Sequence, residues 1–325
     1  MFLLPIAEKT ARIFKRLKAF LLALLALDAT LQRRLATALR RTCFMELLPG
    51  VIKEERDGYA LYVVERLSEE LKTEIRNRLS VICNGAALAE SPCLLYSYPE
   101  TAKEFAKRYK ESEKSSQNRR KGMIGELLAH VILEIEGRFI AASPFFNMEE
   151  RNFKKGFDIM MFEPKDRELW IAEIKSGAKQ KDHQSATTSL VGLLNDAQND
   201  LYERLNSNDS GPWRNALNAV RVARNGASSE TSVMNKILSQ HADNAIAQKN
   251  SSQTFNVVLI GALFHPTSER VASGPIGRKY SRIVEAQRFK NALVVAIQKG
   301  TFEAVYDFLN SEANDETSIQ TQLNA

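Results

Sequence analysis

Apolar residues recur along this chain with two periods, one helical and one extended, and the changes between them mark its elements. Tyr59 to Val64 predicts a short strand, and Leu67 to Val81, apolar at 67, 71, 75 and 79, predicts a helix. Pro92 and Pro99 interrupt the pattern before a highly charged helix over Glu100 to Glu113. From Gly122, GMIGELLAHVILEIEG reads as a helix on Leu127, Leu128, Val131, Ile132 and Ile135. Strands follow over Arg138 to Ser143, Gly156 to Phe162 and Glu168 to Ser176. The next helix, about Ser185 to Leu205, has the stripe Leu190, Leu193, Leu194, Ala197, Leu201 and Leu205. Residues 207–254, rich in Ser, Asn and Gly, read as an insertion or lid with helical pieces near Pro212 to Arg224 and Val233 to Gln248. The continuous apolar run Phe255 to Leu263 predicts a buried central strand. A basic glycine loop (Gly274 to Lys279), a helix (Arg282 to Ala292), a strand (Leu293 to Gln298) and a helix (Thr301 to Leu309) complete the series. The order predicts an α/β fold, a mixed sheet flanked by helices. A helical segment (1–42), an α/β part (43–118), a core (119–310) and a flexible tail (311–325) divide the chain.

The chemistry gathers in Lys155 to Ser176, KGFDIMMFEPKDRELWIAEIKS. Pro164, Lys165, Asp166 and Arg167 supply a turn. With that loop, Glu163 faces Glu168, and counting back sets Asp158 opposite Glu173. Opposed side chains in an antiparallel pair have Cβ atoms roughly 4.5–5.5 Å apart. Alternation puts Glu173 and Lys175 on one face, and Gly156 opposite Lys175 leaves room. Two opposed carboxylates repel. A divalent cation removes that cost, and Mg²⁺ prefers carboxylate oxygens. The plainer reading makes Asp158 and Glu173 surface charges or ion-pair partners of Lys175. Against it, Ile159, Met161, Trp170, Ala172 and Ile174 would pack the other face, and unpaired charge on core strands is costly. Glu126 lies in the first turn of its helix, where the dipole favours a carboxylate, and adds a third acidic candidate.

A helix with Gly125-Glu126, a strand with Gly156-Phe157-Asp158 and a strand with Glu173-x-Lys175 resemble the PD-(D/E)xK nuclease superfamily. The wording IGELLAHVIL, KGFDIMMF and ELWIAEIKSG is closer to the HamA family, nuclease subunits of the Hachiman anti-phage defence system, over about Leu61 to Leu309. The resemblance implies a restriction-endonuclease-like fold that cleaves DNA. It implies Mg²⁺, or Mn²⁺ in its place, held by Asp158, Glu173 and the carbonyl of Ile174, with Glu126 supporting the metal shell. Lys175 would position the attacking water and offset charge on phosphorus. A HamB-like helicase partner and a cytoplasmic location follow from the same likeness. Gln198 to Tyr202 resembles the Q-x-x-x-Y element of RecB-type nucleases, as a contact for DNA or for the lysine; a plain helix-surface pair is its bland counterpart. The rival functions are a non-catalytic nucleic-acid-binding adaptor that kept the fold and a RecB-like repair exonuclease. His130, four residues after Glu126, and the isolated His183 and His265 read as core or surface positions rather than ligands.

Composition changes this picture in two respects. Cys43, Cys83 and Cys93 are an odd number without zinc-site spacing, which suits a reducing compartment. The net charge of +6 is uneven: residues 1–42 hold nine Lys/Arg against Glu8 and Asp28, leaving the remainder at −1. DNA contact therefore has to come from local clusters. Candidates are Arg119, Arg120 and Lys121 in a polar linker from Lys114, then Arg151, Lys154 and Lys155, then Lys179 and Lys181. Near the N-terminus, Arg12, Lys15, Arg16 and Lys18 precede the apolar run Phe20 to Leu27. That order resembles a signal peptide. The run is too short for a bilayer, which needs about 20 residues. A basic docking element and an ordinary buried helix are the competing readings. The glycine loop lacks Walker spacing, so ATP binding is not indicated.

Overall fold

A computed structural model of the chain describes residues 44–113, 117–145, 156–179, 184–224 and 228–314. The predicted 1–42 segment and 315–325 of the tail lie outside the described residues, as do Arg151, Lys154, Lys155, Lys181 and His183. Strands β1 (Phe44–Leu48), β2 (Val51–Arg56) and β3 (Tyr59–Val64) form an antiparallel meander. β4 (Ile140–Ala141), β5 (Ile159–Glu163) and β6 (Glu168–Ala178) form a second. Between them run β7 (Asn256–Phe264) and β8 (Asn291–Lys299), so that β3, β8, β7 and β6 are mutually parallel. The result is one eight-stranded mixed sheet in the order β1-β2-β3-β8-β7-β6-β5-β4. β7 is buried at every position, which is why it reads as an unbroken apolar run.

Helices cover both faces, as the α/β reading expects. On one lie α1 (Glu69–Asn84), α3 (Tyr98–Glu113), α4 (Gln117–Ile135) and α9 (Glu303–Ala313), with the short α2 (Ala86–Ala89) after α1. Their core side chains include Ile75, Phe105, Leu127 and Leu309. On the other lie α5 (Ala186–Asn206), α6 (Gly211–Ala223), α7 (Ser229–Ile246) and α8 (Ser273–Glu285), around Leu190, Leu194, Trp213 and Ile276. Ser68 and Ser185 start α1 and α5 by accepting the N–H groups of Leu71 and Thr188 at 3.2 and 3.1 Å. Each such cap contributes about 1 kcal/mol. Among the described residues no helix is long and apolar enough to cross a membrane.

Three local expectations change. β1 and β2 are strands that the apolar pattern hides, because Lys53, Glu54, Glu55 and Arg56 interrupt it. The Lys53 ammonium is nonetheless buried, held by Glu136 at 2.5 Å and Glu55 at 2.7 Å. The supposed glycine loop is the start of α8, which spans Ser273–Glu285 rather than 282–292. Pro275 falls in its first turn, where a missing N–H costs nothing. The supposed linker is also helical from Gln117: Arg119, Arg120 and Lys121 belong to α4. Lys121 is buried, its Nζ donating to Gln117 at 3.3 Å and lying over the Phe302 ring.

Candidate active site

The β5–β6 hairpin has the predicted register, Glu163 opposite Glu168 and Ile159 opposite Ala172, with Arg167 in the left-handed region (φ 57°) closing the turn. Asp158 comes one residue before β5. Its Oδ2 accepts the Ile174 N–H at 2.9 Å, so a carboxylate takes the place of the next ladder carbonyl and sits opposite Glu173. The N–H and C=O of a strand residue turn to the same neighbour, so the Ile174 carbonyl points to this side too, past the end of the β5 ladder. Leu169 and Ile171 enter the core beneath α5, and by alternation Glu173 and Lys175 follow them on that face. Trp213 of α6 fixes the approach to Asp158. It packs on Phe157 with centroids 4.8 Å apart and stacks on Phe255. The predicted insertion thus buries its aromatic anchor beside the hairpin.

Glycine lets α5 come close to these strands. A Cβ on Gly261 would lie 3.2 Å from Leu194 Cγ, and one on Gly177 3.2 Å from Leu193 Cδ2. The close approach delivers two side chains that the sequence reading missed. Lys175 Nζ bonds Glu173 Oε1 at 3.0 Å and Asp200 Oδ2 at 2.5 Å. Arg204 donates Nη1 to Glu173 Oε2 at 2.8 Å and Nη2 to Oε1 at 3.3 Å, with Nη1 also reaching the Gly156 carbonyl at 3.2 Å. Both Glu173 oxygens are therefore engaged, and the side chain is 1% exposed. Asp200 and Arg204 stand four apart on one helix face, the only sequence signal that could have marked them.

Burial and then the neighbouring Asp158 raise the Glu173 carboxyl above its ordinary value, against the pull of Arg204 and Lys175. Burial pulls the Lys175 ammonium down, but Asp200 and Glu173 outweigh it and leave it above its ordinary value. Lys175 is thus a fixed cation at neutral pH and not a base. Three carboxylates, Asp158, Glu173 and Asp200, meet two cations here. Asp158, Glu173 and the Ile174 carbonyl are hard oxygen donors on one edge. That set suits Mg²⁺, which keeps several of its waters rather than demanding a full protein cage. Among the described residues no three His, Cys, Asp or Glu side chains cluster as a larger ligand set.

The remaining candidates lie elsewhere. Gly125 of α4 abuts Ser176, where a Cβ would come within 2.0 Å of its Oγ, on the sheet face opposite to Lys175. Glu126 is thereby carried in the other helical layer. There burial pushes the Cys83 thiol well up, Arg108 opposes it and Glu126 adds to the rise. Lys179 pairs with Glu269 at 2.9 Å, and the same carboxylate takes His265 at 2.8 Å. Gln198 accepts from Lys279, and Tyr202 lies under Arg288, both on the flank of α5 toward α8. His130 is buried, its pKa lowered by desolvation to about 3, which suits a core residue.

A family model described as HamA matches residues 51–291. A search of curated proteins found no match. With a match that spans most of its length, from β2 to the start of β8, the chain belongs to the HamA family, the family of the Hachiman anti-phage defence system.

Proposed function

We propose that this chain is a Mg²⁺-dependent deoxyribonuclease, the cytoplasmic effector of a Hachiman-type system that works with a helicase subunit. The observation that carries the reading is the opposed pair Asp158 and Glu173 with Lys175 on the same strand face. Asp158, Glu173 and the Ile174 carbonyl would hold the ion. Bound there, it would supply Lewis-acid polarisation of a phosphoryl oxygen and a water of lowered pKa. The chain's own part is positional and electrostatic. The Asp158–Ile174 bond fixes one carboxylate on the strand edge. Lys175, pinned by Glu173 and Asp200, keeps its positive charge where it can orient a water and offset negative charge that develops on phosphorus.

The test is plasmid cleavage by the full chain, with its helicase where required, in Mg²⁺ and in chelator. Cleavage is expected only with Mg²⁺, and Lys175→Ala is expected to abolish it in a protein that still folds. Equal degradation in both buffers would sink the metal mechanism. One observation favours a second reading, the non-catalytic DNA-binding adaptor: Arg204 and Lys175 already satisfy both Glu173 oxygens. DNA binding without cleavage under every divalent ion tried would establish that reading instead.

A further inference from the structure

The flank between α5 and α8 carries cations that the site above does not use. Lys279 of α8 is 8% exposed, yet its Nζ donates to a neutral acceptor, Gln198 Oε1. Arg282 stands three residues on from Lys279 along α8, one helical turn away. Burial lowers the Lys279 pKa, and the charges of Arg288 and Arg282 lower it further. Arg288 lies 4.8 Å over the Tyr202 ring, and that ring meets Phe289 edge-on. Arg278 and Arg282 stand one helical turn apart and exposed. Among the described residues Arg278, Lys279, Arg282 and Arg288 form no ion pair with a carboxylate.

Two other lysines of this fold meet carboxylates: buried Lys53 has Glu55 and Glu136, and half-buried Lys175 has Glu173 and Asp200. Buried Lys121 donates to the Gln117 amide instead, and burial alone lowers the pKa of Lys299. At Lys279 the company is two arginines and an amide. Like charges gathered around a buried ammonium are unfavourable unless an anion relieves them. Three of the four cations are arginines, whose planar fork matches phosphate oxygens. Tyr202 holds the Arg288 guanidinium by its face and leaves the edge N–H groups for a ligand.

We propose that α5 and α8 form a phosphate-binding surface that tracks a DNA strand toward the Asp158–Glu173 pair, a role that rests on the nuclease reading for its ligand. α5 is the shared element. Gln198 and Tyr202 look toward α8, while Asp200 and Arg204 look toward the hairpin. A strand on this surface is therefore about one helix diameter, about 10 Å, from Lys175.

The experiment measures DNA binding by the full chain in chelator, as fluorescence anisotropy of a short labelled DNA strand over a range of KCl. Arg282→Gln with Arg288→Gln is expected to weaken binding about tenfold. It should also make the plot of log Kd against log salt shallower by roughly 1.4–1.8, the slope expected when two phosphates are no longer neutralised. Lys103→Gln with Lys107→Gln removes the same charge from α3, in the other layer, and should leave both quantities as in the parent. A double arginine variant that binds with parental affinity and salt slope overturns the proposal and leaves an acidic protein face as the occupant. A parent chain that binds no DNA in chelator overturns it as well. Plasmid cleavage in Mg²⁺ reports on the nuclease reading separately: cleavage with binding indifferent to α8 removes only this surface, and α8-dependent binding without cleavage removes only the nuclease.

Discussion

Asp158 and Glu173 repel each other across the hairpin, and that repulsion makes the site readable by pH. The Glu173 carboxyl is raised from its ordinary 4.5, by burial first and by Asp158 second. A carboxyl raised in the fold binds more protons folded than unfolded, so stability falls as pH climbs from about 4.5 through the folded value. Asp158→Asn keeps an oxygen for the Ile174 N–H but removes the repulsion. In chelator its melting temperature is expected to exceed the parent's at neutral pH, with the gap closing as pH falls through the raised Glu173 value toward the ordinary carboxyl range, while cleavage falls by about 100-fold or more. A gap of the same size at every pH would mean that Asp158 does not set the ionisation of Glu173. This pair is legible in the sequence because one turn fixes it: Pro164 to Arg167 set the register, and the register carries back to residue 158. Arg204 is not legible, since nothing in a linear stretch says which helix will lie on which strand.

At the scale of elements, α5 decides what the site can do. Its apolar stripe, Leu190, Leu193, Leu194, Ala197, Leu201 and Leu205, is where periodicity puts it. The polar positions between are ambiguous in sequence. Gln198 and Tyr202 carry a family-like spacing but turn toward α8, while Asp200 and Arg204 turn toward β6. The difference is about half a helical turn in azimuth, which only the packing on Gly177 and Gly261 resolves. α8 begins earlier than the pattern predicts because Gly and Pro, which break helices elsewhere, are tolerated in a first turn. Arg204 occupies the oxygens a metal would need, so it acts as an internal counter-ion. Arg204→Gln is therefore expected to bind Mn²⁺ several-fold more tightly without DNA, measured by the EPR signal of the free ion, and yet to cleave more slowly. Two effects of opposite sign separate this role from simple loss of structure. Weaker Mn²⁺ binding would show that Arg204 supports the carboxylate instead of competing for it.

Across the whole molecule, charge and family likeness divide the chain at nearly the same place. The HamA match begins at residue 51, and residues 1–42 hold the positive excess, leaving −1 for everything after. The sheet draws its strands from residues 44–64 as well as from the hairpin and the C-terminal half, so the stretch 43–118, separate by its pattern, supplies three strands of the same sheet. That joining depends on β3 pairing with β8, a contact between residues more than 200 apart that local patterns cannot foresee. With the α5–α8 surface available for phosphate, residues 1–42 need not serve as the arm that binds DNA. Phe20 to Leu27 also offers more apolar area than phosphate binding requires, which fits a protein partner better. A nuclease that is not restrained endangers its host, and a docking segment that keeps it with a helicase would supply the restraint. Deletion of residues 1–42 is thus expected to weaken co-purification with the helicase while leaving the proposed metal site intact, so that Mg²⁺ raises the melting temperature of the truncated and the full chain equally. If the truncated chain binds the helicase as tightly as before and loses only salt-sensitive DNA binding, the segment is a DNA-binding arm and the docking assignment is wrong.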